Sequence, residues 1–393
     1  MSNRVDPDLR REMALYGAGD LDKCINCGNC TAVCGLSEGE TVFPRKTIRY
    51  LQLGLKEKLL ASPEPWLCYY CGECSDTCPR DANPGETMMA ARRWLTAQYD
   101  RSGKAARFYT SPRRLWTAII IWAAIPLVLL ALYHVLYPIL SGSGSSAIVT
   151  DRVELNTFAP VMWVWLLVVA HFLSLGYRVM SGTFNMTRWV LGDGAWPRDI
   201  PLSAYVKEFK SFLLHFFTQK RWRDCGQRER PRWLVHLLFV SGYVIMLVLI
   251  VALLGWFQTD NIYPIYHPQR WLGYYATLVL GYGAVVMLIG RMRKRAQIHK
   301  FSDLTDWLFP SFLLVGAVTG ILVHAFRYAG WPWPTYVLYV IHVMAMVAML
   351  DVEVGIGKWA HLIYRPLAAY LVRVREHRVA PAAEPGAAAP AAV

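Results

Sequence analysis

Beyond residue 107 the sequence settles into long apolar runs separated by polar connections. The runs cover 116–137, 158–177, 233–257, 271–289, 307–326 and 336–360. Each is long enough for a helix to cross a hydrocarbon core about 30 Å thick at a rise of about 1.5 Å per residue. Aromatic residues crowd their ends, as at membrane–water interfaces. Before residue 107 the pattern differs. Ile48, Leu51, Leu55 and Leu59 recur at helical spacing behind Pro44. A second helix is predicted from Asn83-Pro84 through Met88, Ala91 and Leu95. The expected fold is therefore all-α. A helical, cysteine-bearing domain occupies 1–107 and a six-helix membrane bundle 108–365. A basic, alanine- and proline-rich tail follows over 366–393, expected to be disordered from residue 379. The serine- and glycine-rich loop 141–146 is expected to be flexible.

One polar connection has its own periodicity. Leu202, Tyr205, Val206, Phe209, Phe212, Leu213, Phe216 and Phe217 share a helical face, with Lys207 and Lys210 between them. This predicts an amphipathic helix near 202–219, lying in the membrane surface or packed on the soluble domain; the phenylalanine-rich face favours the membrane surface.

Charge then sets orientation. The chain is basic (+13) yet only 18% charged, with mean hydropathy +0.26. The cations sit before the first run, in the 202–232 connection and at 291–300, whereas the alternate connections are nearly bare. The positive-inside rule places both termini in the cytoplasm of a multi-pass inner-membrane protein. Charge spread over loops in this way argues against nucleic acid as a partner.

Eight of the nine cysteines fall into two matching runs, Cys24, Cys27, Cys30, Cys34 and Cys68, Cys71, Cys74, Cys78. Both read C-x2-C-x2-C-x3-C, the spacing that holds [4Fe–4S] clusters in two-cluster ferredoxins, where the fourth cysteine ligates the other cluster. The expected ligand sets are Cys24, Cys27, Cys30 and Cys78 for one cluster, and Cys68, Cys71, Cys74 and Cys34 for the other. Disulfides need an oxidising compartment, and nothing before Cys24 reads as a signal peptide. Zinc sites generally use pairs rather than two quartets. The ninth cysteine, Cys225, stands alone in a basic loop and reads as structural or incidental rather than as a ligand.

Imidazoles inside a bilayer need partners, and haem iron is one. His236 and His361 fall at the cytoplasmic ends of the third and sixth runs and are paired as axial ligands of an inner b-type haem. His342 lies near the outer end of the sixth run, 19 residues from His361, or roughly 28 Å along a straight helix. That separation suits a second haem. Nineteen residues also leave the two rings out of phase by about 100°, which a bend near Gly355 and Gly357 would correct. The outer partner is open among His324, His171 and Met246. His134 and His267 read as interfacial, and His215 lies on the amphipathic helix. Asp351 and Glu353, inside the sixth run, are candidates for carrying protons to or from a quinone, or for pairing with Lys358.

These residues carry a resemblance. The cysteine runs and Pro44-Arg-Lys-Thr-Ile-Arg-Tyr-Leu-Gln-Leu-Gly54 resemble the C subunit of heterodisulfide reductases. Arg230-Pro-Arg-Trp-Leu-Val-His236 and Lys358-Trp-Ala-His-Leu-Ile-Tyr-Arg365 resemble cytochrome b subunits related to the nitrate reductase gamma chain. Where that family has a second histidine ten residues on, this chain has Met246. The fusion is similar to the third, membrane subunit of quinone-interacting membrane-bound oxidoreductase complexes. The resemblance implies two [4Fe–4S] clusters, one or two b haems and exchange of electrons with menaquinone or ubiquinone. It also implies two cytoplasmic flavin/iron–sulfur partner subunits and, through them, adenylylsulfate reductase in dissimilatory sulfur metabolism. The alternatives are the membrane limb of a heterodisulfide reductase or sulfite-reduction complex, and a haem-free anchor for iron–sulfur subunits.

Overall fold

A computed structural model of the chain describes residues 4–39, 41–142, 147–226 and 229–378. The segment 379–393, the loop residues 143–146 and Arg228 lie outside the described residues. Among the described residues every regular element is a helix, with one isolated bridge between Glu38 and Thr41.

The cysteine-bearing part comprises α1 (Leu9–Ala14), α2 (Asn29–Ala32), α3 (Arg45–Gln52), α4 (Lys56–Leu60), α5 (Glu64–Leu67), α6 (Glu73–Asp76), α7 (Pro84–Tyr99) and α8 (Lys104–Thr110). The single helix expected over 45–59 is two. Gly54 turns left-handed (φ +67°), and the Asp6 backbone presses where a side chain would stand. The Asp6 N–H donates to the Gly54 carbonyl at 2.8 Å, tying the N-terminal segment into that break. α7 is buried on nearly every side although it carries Glu86, Arg92 and Arg93. Arg93 pairs with Glu86 and donates to the Tyr16 carbonyl at 2.8 Å, and Arg92 donates to the Pro65 carbonyl at 2.5 Å. Leu9, Met13, Ile48, Leu51, Trp66, Met88 and Trp94 close the core around it.

The rest comprises α9 (Pro112–Leu140), α10 (Leu155–Phe158), α11 (Val161–Gly192), α12 (Leu202–Thr218), α13 (Arg230–Val251), α14 (Leu254–Phe257), α15 (Pro268–Arg293), α16 (Gln297–Lys300), α17 (Leu304–Tyr328), α18 (Pro332–Glu353) and α19 (His361–Arg375). Six of these, α9, α11, α13, α15, α17 and α18, are long and apolar enough to cross a membrane. Large apolar side chains such as Ile120, Val135, Leu173, Tyr177 and Leu278 are exposed on their outer faces, which a hydrocarbon surround would satisfy. α13 and α15 approach closely through small residues. Gly283 lies under the Phe239 ring, and Gly242 under Val279 and Leu280. Replacing Gly283 with leucine is expected to force these helices apart at a cost of about 1–3 kcal/mol, read as earlier thermal unfolding of the detergent-solubilised chain.

The sixth run does not continue as one helix to residue 360. α18 stops at Glu353, Gly355 turns left-handed (φ +79°), and a 3-10 turn over Lys358–Ala360 leads into α19. His361 therefore begins a separate helix, and the phase conflict of a continuous helix does not arise. α19 also replaces the first part of the expected tail. Leu367, Leu371 and Val374 are buried because the helix packs along α12 and reaches α5 and α11. The Tyr370 hydroxyl donates to the Tyr205 carbonyl at 3.0 Å, and Phe209 and Phe212 meet the Tyr370 ring. The amphipathic helix thus has a protein partner on one side, α19. Its other side, with Leu202, Val206 and Phe217, stays exposed.

The cysteine-bearing part caps one end of the bundle. α8 runs into α9, and α4 and α7 touch α11. Asn185, near the end of α11, donates to the Tyr99 carbonyl at 2.8 Å.

Candidate functional site

The two cysteine runs fold alike. In each, the glycine after the second cysteine is left-handed, Gly28 at φ +91° and Gly72 at φ +94°, which aims the next turn, α2 or α6, back toward its own cysteines. α2 and α6 pack together, so each run's fourth cysteine swings toward the other run. Cys24, Cys27, Cys30 and Cys78 line one small cavity. Cys34 instead neighbours Cys68 and Cys71, and Cys74 neighbours all three. All nine cysteines are free thiols. Burial pushes the Cys34 thiol up to about 11, and Cys74 well above its ordinary value. Thiolates are stable there only against a cation. A four-iron core bound by four thiolates supplies one, so the donor sets fit the group. Cys225 is not isolated. Its thiol hydrogen-bonds Cys71, which draws Cys71 down and pushes Cys225 up.

A cavity of about 440 Å³ opens between this domain and the helix ends, within the roughly 300–1,000 Å³ typical of cofactor and ligand sites. His236 of α13 and His361 of α19 both line it, with ring centres 5.9 Å apart. Two imidazoles on one metal place their centres about 6 Å apart, given a metal–nitrogen bond near 2.0 Å on each side. His361 Nδ1 donates to the Lys358 carbonyl, which leaves Nε2 with its lone pair. Burial holds the His361 ring well below its ordinary value, so it is neutral, as a ligand must be. Among the described residues, His236 Nδ1, Tyr243 Oη, Arg291 Nε, His299 Nδ1 and Trp359 Nε1 have no hydrogen-bond partner, and these residues line the cavity. Arg232, Arg291 and Lys358 line it too, cations suited to the carboxylates of a porphyrin. The residues present fit a b-type haem.

The outer histidines are arranged differently. His342 Nδ1 meets Thr319 Oγ1 at 2.9 Å, and Gly320 leaves room beside the ring. His324 engages both ring nitrogens elsewhere, with Arg270 at 3.0 Å and Tyr274 at 2.7 Å, so neither is free for a metal. His171 meets the Trp122 ring edge-on and its Nε2 has no partner among the described residues. Met246 packs on the cluster around Phe239 and Leu280.

The two carboxylates part company. Asp351 Oδ1 accepts from Arg178 Nη2 at 2.7 Å, its carbonyl accepts from Arg178 Nη1 at 2.9 Å, and Lys104 stands 3.5 Å from Oδ2. Its partner is thus Arg178 rather than Lys358. Glu353 accepts the Lys358 backbone N–H at 2.6 Å on Oε2, while Oε1 is buried and unpartnered among the described residues. The Lys358 ammonium goes to Asp306 instead. Burial pulls Lys358 below its ordinary value, with Asp306 opposing. Arg178 is absent from the sequence-based site because the second apolar run ends at Tyr177. The helix continues to Gly192.

Two further residues escape sequence reasoning. Arg92 and Arg365 are both buried and both donate to the Cys68 carbonyl, Arg365 at 3.4 Å. Arg365 also lies over the Tyr69 ring at 4.2 Å. Burial, then the nearby Arg365, brings Arg92 down to about 9, still charged at neutral pH.

The 4Fe-4S dicluster domain family matches residues 20–82. An Archaeoglobus profundus protein described as like the C subunit of heterodisulfide reductase is 36% identical over 104 residues, 25% of this chain and 55% of that protein. The iron–sulfur C subunit of the CoB–CoM heterodisulfide reductase of Methanopyrus kandleri is 33% identical over 107 residues, 27% of this chain and 53% of that one. The C subunit of the H(2):CoB-CoM heterodisulfide,ferredoxin reductase of Methanothermobacter thermautotrophicus is 28% identical over 88 residues, covering 22% and 48%. The chain spans about half the length of the curated relatives it matches. No solved structure matches it. The N-terminal region therefore resembles the iron–sulfur C subunits of heterodisulfide reductase, an oxidoreductase complex, and is joined here to six helices long enough to span a membrane.

Proposed function

We propose that this chain is the membrane electron-transfer subunit of a quinone-linked oxidoreductase, carrying electrons between the quinone pool and a cytoplasmic flavin/iron–sulfur partner. The observation that carries this reading is the His236–His361 pair, 5.9 Å apart on a cofactor-sized cavity that is also lined by Arg92 and Arg365, which donate to the Cys68 carbonyl. In this reading Cys24, Cys27, Cys30 and Cys78 hold one cluster, and Cys34, Cys68, Cys71 and Cys74 the other. Both termini are cytoplasmic, and the likeness to quinone-interacting membrane-bound oxidoreductases supports a place in dissimilatory sulfur metabolism beside adenylylsulfate reductase. Bound haem and clusters would supply one-electron carriers between a two-electron quinone and a soluble enzyme.

The chain's own residues hold and orient. The Lys358 carbonyl fixes the His361 tautomer, and Arg92 and Arg365 hold the Cys68 backbone with buried positive charge. Glu353 Oε1, unpartnered and a short turn from His361, is the group placed to take up or release a proton when quinol is oxidised or quinone reduced. His342 is retained as a ligand of a second, outer haem only if its Thr319 hydrogen bond serves the nitrogen not bound to iron; His324 is not needed. The purified, dithionite-reduced chain is expected to show a b-type α-band and about eight iron atoms per chain beyond haem. Absence of the band sinks the haem step, and a count near four sinks the two-cluster assignment.

A further inference from the structure

The two cysteine runs match in spacing, but the fold treats them differently. The residue after the first cysteine is Ile25 in one and Tyr69 in the other. Ile25 is 63% exposed and Tyr69 only 6%. The equivalent glycines differ in the same sense. A side chain on Gly28 would meet only the far end of Arg45, at 3.8 Å, whereas one on Gly72 would strike Gln297 of α16 at 2.7 Å. Gly35, next to Cys34, is covered by the Asp224 carbonyl, 2.6 Å from where a side chain would stand. Arg221 donates to the Leu36 carbonyl at 3.2 Å. Two connections between membrane helices thus close over the second cysteine set, while Cys27 of the first is exposed.

One of those connections carries a ring between the cysteine set and the histidines. Trp222 lies 5.5 Å from Tyr69 and 5.2 Å from His236, centre to centre, and Glu229 holds its indole N–H at 3.2 Å. Tyr69 follows Cys68 directly. The path Cys68–Tyr69–Trp222–His236 is continuous packed protein. On the other side Arg365, one turn beyond His361 on α19, reaches the Cys68 carbonyl.

We propose that the Cys34/Cys68/Cys71/Cys74 cluster is the inner member of the relay, facing the His236–His361 iron through Trp222, and that the Cys24/Cys27/Cys30/Cys78 cluster is the outer one, facing the soluble partner. This rests on the functional reading above and adds its order. With the groups bound, His236 and His361 would hold a one-electron carrier and the two cysteine sets two more, so that a single electron would pass in turn from the haem to the inner cluster, the outer cluster and a soluble redox protein as acceptor. The reverse direction uses the same steps.

The test uses the full detergent-solubilised chain with its absorbance spectrum taken first, so that a missing b-type band is scored against the functional reading and not against the order. A water-soluble dysprosium chelate is added to the reduced protein, and spin relaxation of each cluster is followed by electron paramagnetic resonance. Cys30→Ala and Cys74→Ala assign the signals. The signal lost in Cys30→Ala is expected to relax faster with the chelate, and the signal lost in Cys74→Ala to be little changed. Equal or reversed sensitivity overturns the order. Because those variants can fail to fold, Trp222→Leu and Trp222→Phe provide a second arm. Reduced protein is mixed with ferricyanide and the α-band is followed. Leucine is expected to slow haem reoxidation several-fold at unchanged haem content, iron content and haem midpoint potential, and phenylalanine to restore most of the rate. An unchanged rate in Trp222→Leu removes Trp222 from the path.

Discussion

On the proposed haem assignment, replacing His361 with alanine is expected to abolish the b-type band while leaving the iron–sulfur content unchanged. The ring meets its ligand requirements in three ways at once: it faces His236 at 5.9 Å, its Nδ1 is committed to the Lys358 carbonyl, and burial keeps it neutral. Alanine removes all three and leaves His236 facing a void. His236→Ala should behave alike. The cysteines that would hold the clusters lie on other elements, so iron bound there should survive, and this distinguishes ligand loss from unfolding. Total haem falls to zero if this is the only haem, and by half if His342 supports a second. His342→Ala therefore counts the haems, and in a two-haem protein it removes the other half. Full haem retention in both His236→Ala and His361→Ala refutes the inner pair.

What the sequence made legible follows the range of the interactions concerned. The cysteine spacing is a local pattern, and the crossed grouping of the fourth cysteines follows from it because two short equivalent loops must share one small core. The six spans are legible for the same reason, since hydropathy acts through composition along a single helix. The His236–His361 pairing could be reached from depth alone, without knowing any contact. Helix ends were less legible. Gly54 splits one predicted helix because Asp6, 48 positions earlier, occupies the space a side chain would need. Gly355 separates His361 from α18, and α19 is ordered because α12 lies beside it.

The least legible features are polar contacts between distant segments. Trp222 sits in a basic connection with no sequence signal of its own, and becomes notable only when Tyr69 and His236 close around it. His324 shares the depth of His342 in the sequence, and only the structure shows Arg270 and Tyr274 engaging both of its ring nitrogens. The signal for Arg178 was a cation one residue past an apolar run, with an unexplained carboxylate in another. Two such residues are worth testing as a pair whenever both occur at the same predicted depth.

The Arg178–Asp351 pair gives the second large effect. Both side chains are nearly fully buried, and the contact joins α11 to the end of α18, 173 positions apart. Asp351→Ala leaves the Arg178 guanidinium without its carboxylate, and removing one partner of a buried pair costs about 3–5 kcal/mol. Lys104, 3.5 Å from the other carboxylate oxygen, loses its partner too, and it is only a third exposed. The variant should unfold markedly earlier in a thermal or denaturant series on the detergent-solubilised chain. Asp351→Asn keeps the shape and a hydrogen-bond acceptor but not the charge, so it should fall between. The double variant Arg178→Met/Asp351→Leu removes both charges from the buried contact, and such replacements are commonly neutral or stabilising; recovery of most of the lost stability is expected, apart from the share due to Lys104. This series also separates the two roles open to Asp351. A carboxylate that only ties helices together is dispensable once the tie is replaced, so the double variant should oxidise quinol at the parent rate. A carboxylate that carries the quinone proton is not replaceable by leucine, and the double variant would then be stable but slow. The ion pair with Arg178 favours the first outcome and leaves Glu353, with its free Oε1, as the carboxylate whose replacement by glutamine should slow the quinone reaction without lowering stability to the same degree.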